Sequence, residues 1–186
     1  MANITLTAAP VLGTDLMIGK NRIVERSDLA LVSIAVPLDG EVALAKALKT
    51  GWALSMPDAR HSTMSGKARL IQTAQDQLFL AFPHSAPDAN AVVNKKLDGA
   101  GYTTEQTDNW SVFEISGPDT RAALERLCPL DLHPDVFAIA DVGRTVMEHM
   151  GAIIVRSEQD TFLLMSARSS APSFLHAIET SFRNVC

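Results

Sequence analysis

Two stretches of the chain, ARLIQTAQDQLFL (residues 68–80) and AIIVRSEQDTFLL (residues 152–164), lie over one another without a gap. Ala68 falls on Ala152, Leu70-Ile71 on Ile154-Val155, Thr73 on Ser157, and Gln75-Asp76 on Gln159-Asp160. In each, apolar runs flank a short polar core, the pattern of a hairpin whose tight turn is built on the Gln-Asp pair. A strand and a helix precede each hairpin. Leu31 to Val36 leads through Pro37 and Asp39 to a helix with Leu44 and Leu48 at i, i+4; Val112 to Ile115 leads through Pro118 and Asp119 to a helix with Leu124. A helix also follows each hairpin, with Asp88 and Ser173 as the expected N-caps. Val92, Leu97 and Ala100 are expected to face inward in the first of these helices, and Phe174, Ile178 and Phe182 in the second. A strand–helix–strand–strand–helix unit of this size has a sheet with one face to bury, and two copies can cover each other. The expected fold is therefore α+β: one compact body of two similar units, pseudo-repeats 29–109 and 110–186, with a joining strand around residues 102–107. Residues 1–28 match no motif and stand as an unassigned N-terminal arm. Residues 51–66 are expected as a long loop inside the first unit, of a length that usually accompanies function or mobility.

A length of 186 residues suits such a body and is enough to bury a core without staples. A formal net charge of -5, with Lys95-Lys96 as the one adjacent basic pair, argues against nucleic acid, whose binding requires phosphate neutralisation. Cys128 and Cys186 make no disulfide framework, which suits a reducing compartment. No run approaches the roughly 20 apolar residues of a membrane span. The N-terminus lacks a charged n-region, and Pro10, Gly13 and Asp15 interrupt any secretory h-region. A cytoplasmic location, with no membrane partner, is the expectation.

The motifs of cofactor and catalytic chemistry are sparse. His61, His84, His133, His149 and His176 are spread singly, without metal-ligand spacing, which leaves only a site assembled from distant segments. No glycine-rich dinucleotide fingerprint, P-loop or nucleophile elbow is written in the chain. Cys128 has His133 five residues on, but it ends a helix, where the dipole disfavours a thiolate, so packing is its expected role. Ser116-Gly117-Pro118 opens a helix whose free N–H groups suit either a plain helix start or an anion. No catalytic, cofactor-binding or metal residue is assigned.

Residues 110–137 are the most distinctive segment. A strand is followed by Ser-Gly-Pro, a helix with Ala123, Leu124, Leu127 and Cys128 on one face, and the heptad Cys128-Pro129-Leu130-Asp131-Leu132-His133-Pro134. Gly143-Arg144-Thr145, the strand 152–155, Asp160 to Leu164 and Arg168-Ser169-Ser170-Ala171 follow in order. This succession resembles the gamma subunit of heterotetrameric sarcosine oxidase. More widely it resembles the folate-binding fold of the glycine-cleavage aminomethyltransferase, itself built of duplicated α/β halves. The C-terminal half carries the resemblance; the first half matches loosely, through Gly66-Lys67-Ala68-Arg69 and the strand 78–82. Ser170 departs from an aromatic residue of the family pattern, and the first 28 residues find no counterpart.

The resemblance implies a non-catalytic structural subunit. Its partners would be alpha, beta and delta subunits that carry FAD, FMN, NAD, zinc and the tetrahydrofolate site. The complex would oxidatively demethylate sarcosine to glycine. A free-standing folate-binding or one-carbon module is the alternative, as is the equivalent subunit of an oxidase for another N-methylated amine. The stiff, partly polar loop Leu130, Asp131, Leu132, His133 and Pro134 is the candidate subunit interface, suited both to packing within the chain and to docking against another.

Overall fold

Both units of the repeat are present, and each has one strand more than the sequence pattern implies. In the computed structural model, which describes residues 9–186, the chain opens with a hairpin of β1 (Asp15–Ile18) and β2 (Asn21–Glu25). The first unit runs β3 (Leu29–Ala35), α1 (Glu41–Trp52), β4 (Ser62–Ser65), β5 (Ala68–Ala74), β6 (Gln77–Pro83) and α2 (Ala89–Leu97), and β7 (Tyr102–Glu105) joins it to the second. The second runs β8 (Trp110–Ser116), α3 (Thr120–Glu125), β9 (Val142–Met147), β10 (Met150–Glu158), β11 (Thr161–Ala167) and α4 (Ala171–Val185). The added strands are β4 and β9. The stretch 51–66 is thus not one long loop: the end of α1 and the whole of β4 lie within it, and residues 53–61 connect them.

The strands form two antiparallel sheets, ordered β4-β5-β6-β3-β7 and β1-β2-β8-β11-β10-β9. Side chains alternate between the faces of a strand, and both faces of these sheets are covered. In β11, Phe162 and Leu164 face α3 and α4, whereas Leu163 and Met165 face the opposite sheet. In β3, Val32 and Ile34 face α1 and α2, whereas Leu29 and Leu31 meet the second unit's sheet. The layers are therefore helices, sheet, sheet, helices. Burial on both sides explains why these antiparallel strands read as nearly unbroken apolar runs.

The duplication extends to local detail. Pairing in both Gln-Asp hairpins slips by one residue, between Gln72 and Ala74 in one and between Arg156 and Glu158 in the other. Under the alignment that lays Ala68 on Ala152, these are the same positions. The extra residue is Thr73 or Ser157, and its hydroxyl donates to the carbonyl across the turn: Thr73 to Gln77 O and Ser157 to Thr161 O, both at 3.1 Å. The hydroxyl kept in both copies secures a bulge, and the bulge adds the twist that lets the hairpin wrap its neighbour.

The helix ends depart from the sequence reading. Asp88 does occupy the cap position of α2, but its carboxylate lies 2.6 Å from His84 Nε2 and makes no cap bond. Glu105 takes that role, its Oε2 accepting the Asn90 N–H at 2.9 Å. Ser173 lies inside α4, and Ser170 precedes the helix, without a side-chain cap bond. In α2 the buried face is Ala89, Val93 and Leu97, since Ala100 lies beyond the helix end and Val92 is half-buried. Phe174, Ile178 and Phe182 are buried in α4, as the spacing implies. The helix of residues 120–125 stops short of Leu127 and Cys128, which nevertheless pack into the same core.

Of the N-terminal arm, residues 1–8 lie outside the described residues. The rest is built into the second sheet: β2 pairs with β8 as β7 pairs with β3, so it fills in that sheet the place β7 fills in the other. The Glu25 carboxylate accepts the N–H groups of Val11, Leu12 and Gly13 at 2.6–2.9 Å and ties down the preceding chain. Asn21 is fully buried; its Oδ1 accepts the Asp119 N–H at 3.0 Å at the start of α3, and its Nδ2 donates to Ile18 O and to Asp119 Oδ2. Gly117 lies against this turn at φ +129, where a Cβ would come within 2.5 Å of Asn21 Oδ1 and 2.7 Å of Asn21 Cα.

Asn21→Ala should therefore cost about 1–3 kcal/mol, because a buried helix-start N–H loses its acceptor. Gly117→Ala should cost about 2–4 kcal/mol from backbone strain plus the clash. Chemical denaturation of the two variants beside wild type checks both; if Gly117→Ala unfolds at the wild-type midpoint, the docking of the arm is not as described.

Candidate functional site

The proline-bracketed heptad splits into an inward and an outward half. Cys128 is buried, its thiol donating to Leu124 O at 3.5 Å, and burial pushes its pKa up, so it packs rather than reacts. Leu132 is fully buried in the core under α3 and α4. Asp131, His133 and Pro134 are exposed and Leu130 is half-buried. The turn closes on itself: Asp131 Oδ1 accepts the His133 N–H at 2.9 Å, and His133 O accepts the N–H groups of Val136 and Phe137 at 2.9 and 2.8 Å. Such a turn holds its shape through backbone bonds. Gly143 lies beneath it, and a Cβ there would come within 2.5 Å of Leu130 Cδ1 and push that side chain aside.

The two loops singled out in the sequence meet. His61, at the end of the loop after α1, forms an isolated antiparallel bridge with Asp141, at the end of the loop after α3. The Val142 N–H donates to Arg60 O at 2.7 Å and the Ser62 N–H to Ala140 O at 2.8 Å, so His61 and Asp141 form the close, non-hydrogen-bonded kind of pair. Their side chains touch accordingly. His61 Nε2 lies 2.8 Å from Asp141 Oδ1, off the line of a directed hydrogen bond, while Nδ1 lies 2.9 Å from Ala59 O. Asp141 Oδ2 accepts the Ala138 N–H at 2.8 Å.

Two buried arginines back this junction. Arg69 Nη1 donates to Ser62 Oγ at 2.9 Å, and that hydroxyl donates to Ala140 O at 3.0 Å; burial lowers the pKa of this guanidinium. Arg156 Nη1 donates to Phe137 O at 2.7 Å and Nη2 to Gln159 O at 2.7 Å, tying the loop to the hairpin turn. The sequence reading passed over both. The available signal was a charged residue inside an otherwise apolar strand.

Where the loops meet, they wall a cleft of about 690 Å³ between the two units, lined among others by Arg60, Gln72, Asp131, Val136 and Arg144. Leu130 and Asp131 of the predicted interface lie in its wall; Leu132 lies in the core. The cleft can hold a partner but offers little for chemistry. Thr73, its hydroxyl, is engaged with Gln77 O. Asp141 Oδ2 accepts the Ala138 N–H and Asp131 Oδ1 the His133 N–H, one bond each, which leaves both carboxylates further acceptor sites. Among the described residues no group of three His, Cys, Asp or Glu side chains is placed to hold a metal, and no helix is long and apolar enough to cross a membrane.

No protein-family model matches the chain. It is 27% identical over 143 residues to the sarcosine oxidase subunit gamma of Corynebacterium sp. (strain P-1), a match covering 76% of this chain and 70% of that one. It is 25% identical over 126 residues to the subunit gamma of Arthrobacter sp., covering 68% of this chain and 61% of that one. A chain of the heterotetrameric sarcosine oxidase from Corynebacterium sp. U-96, solved in complex with pyrrole 2-carboxylate, superposes with a TM-score of 0.78 at 20% identity, over 92% of this chain and 88% of that one. The glycine cleavage system aminomethyltransferase T of Bartonella henselae superposes with a TM-score of 0.61 at 14% identity, over 86% of this chain and 45% of that one. The resemblance read from the repeat and from residues 110–137 is borne out in both sequence and fold.

The division of the heptad sets an expected contrast. Leu132→Ala should cost about 2–5 kcal/mol through lost burial and a cavity. Asp131→Ala with His133→Ala should cost under about 1 kcal/mol, as exposed turn positions do. Thermal unfolding distinguishes them. Alkylation with iodoacetamide gives a second check: exposed Cys186 should react first, and Cys128 should stay protected as pH rises past the ordinary thiol range, because its pKa is raised.

Proposed function

We propose that this chain is the gamma subunit of a heterotetrameric sarcosine oxidase, a non-catalytic structural subunit that supports oxidative demethylation of sarcosine to glycine. The agreement of fold over 92% of the chain with one chain of a heterotetrameric sarcosine oxidase, joined to the sequence matches with two gamma subunits, carries this reading. On it, the alpha, beta and delta subunits are the partners, and FAD, FMN, NAD, zinc and tetrahydrofolate reside on them. The cytoplasm is then its compartment.

The folate-module alternative is less favoured, because the two curated relatives are sarcosine oxidase gamma subunits, whereas the likeness to an aminomethyltransferase is one of fold, at 14% identity. Stable hetero-complexes typically bury about 2,000 Å² or more. The exposed half of the heptad, Asp131, His133 and Pro134, is therefore one part of a larger contact surface.

Purified alone, the chain should show no flavin absorbance and release no peroxide with sarcosine. Titration calorimetry with tetrahydrofolate should show no saturable heat. Co-expressed with the companion subunits, it should elute with them and be required for their stable assembly. A stoichiometric flavin band on the isolated chain, or one-site folate binding, would overturn the reading.

A further inference from the structure

We propose that the cleft between the two units receives an acidic, extended segment of a companion subunit, with carboxylates placed to meet Arg60 and Arg144 and an apolar side chain seated beside them. The inference rests on the reading of the chain as a subunit and adds the surface and the chemistry of contact.

The placement of the two arginines follows from the bridge that joins the units. His61 lies opposite Asp141, and the carbonyl of Arg60 accepts the Val142 N–H, so Arg60 lies opposite Val142. Side chains alternate along β9, which puts Arg144 on the same face as Val142, the residue that Arg60 meets across the bridge. Both arginines line the cleft. Neither has a carboxylate within ion-pairing distance among the described residues, whereas Arg22, Arg26, Arg121, Arg168 and Arg183 are all paired. The bond Arg144 does make is a long one, 3.4 Å from Nη1 to Thr73 O. Arg126, likewise unpaired, lies against α4 on the outer helix layer.

The acids of the cleft do not answer these cations. Asp141 faces His61 and the Ala138 N–H, and Asp131 is turned to the His133 N–H. Two guanidinium groups that line one cleft without an ion-paired carboxylate keep their pairing capacity for another chain. Guanidinium groups favour planar, two-point pairing with carboxylates, which a partner would supply.

The apolar requirement comes from the loop that carries Val136, which also lines the cleft. Val136 is 59% exposed and Ile139, in the same loop, is 56% exposed. Charged groups flanking exposed aliphatic side chains describe the edge and centre of a protein contact. A second copy of this chain is a poor occupant, because a twofold contact would set the same two arginines against each other.

The test uses the co-expressed complex. Arg60→Glu with Arg144→Glu replaces both cleft cations by anions, and Lys46→Glu with Lys49→Glu makes the same change in net charge on exposed positions of α1. The affinity of each form for the remaining subunits is measured at low and high salt. The cleft variant should bind about tenfold or more weakly at low salt, with the gap closing as salt screens the wild-type contact. The α1 variant should bind as wild type does. Arg60→Gln with Arg144→Gln, with unfolding midpoints measured for all forms, serves if the reversal disturbs folding, and it should weaken binding in the same direction. Equal binding by the folded cleft variant overturns the inference and leaves the subunit reading intact, as does an equal loss in both charge variants. Failure of wild type to bind any companion overturns the subunit reading, and the inference with it. Self-association of the isolated chain that the cleft substitutions abolish would identify a second copy as the occupant and reject the proposal.

Discussion

Two sheets, each apolar on both faces, are the constraint on which the rest of this molecule depends. The helices of a unit cover one face of its sheet. Leu29, Leu31, Ile71 and Phe79 of one unit then have no cover except Val112, Ile153, Val155, Leu163 and Met165 of the other. Full burial of such a side chain contributes about 1.5–3 kcal/mol, and a unit alone would leave this whole layer in water. Folding is therefore a property of the pair. The meeting of the halves also brings the starts of β4 and β9 side by side, which is why His61 and Asp141 bridge and why a cleft opens between their loops.

What is particular to this chain lies where the two halves differ. Arg156 stands where the first unit has Gln72, and it spends its donors on the Phe137 and Gln159 carbonyls, fixing the end of a loop the first unit lacks. Arg69 stands where the second unit has Ile153, and it braces Ser62 against Ala140. A helix of residues 120–125, half the length of α1, gives way to the longer connection that carries the heptad. The strand beside β8, in the place that β7 has beside β3, is β2, from residues ahead of both repeats. The symmetric parts make the body. The asymmetric parts make its surfaces, and the proposed role of the chain as a subunit is written there.

Much of this was legible in the sequence. The Gln-Asp hairpins, the faces of α1 and α4 and the duplicated α+β units follow from periodicity, turn chemistry and internal repetition, and the folate-binding-like architecture from the resemblance that residues 110–137 carry. The Thr73–Ser157 match stood in the alignment, and the bulges give its reason. The helix caps were not legible. The sequence offers Asp88 and Ser173, good cap residues close at hand, yet the groups that satisfy the helix starts are Glu105 for α2 and, for α3, Asn21 from the opposite end of the chain. A cap is any acceptor that arrives at a free N–H, and distance along the chain says nothing about arrival.

The same reasoning divides the candidate site. The sequence alone determined that residues 130–134 form a stiff turn, because two prolines and an Asp side chain act over a few residues. It also showed a unit repeated with a face to bury, which its copy can cover. Tertiary structure decided that Leu132 points into the core while Asp131 and His133 point out, and that the hairpin of residues 15–25 belongs to the second sheet. It decided too that Arg60 and Arg144, far apart in the chain, share one face. Local order follows from interactions between near neighbours. Which distant groups come to share a surface depends on how two buried sheet faces close over each other, and that registry is set by the packing of both units at once.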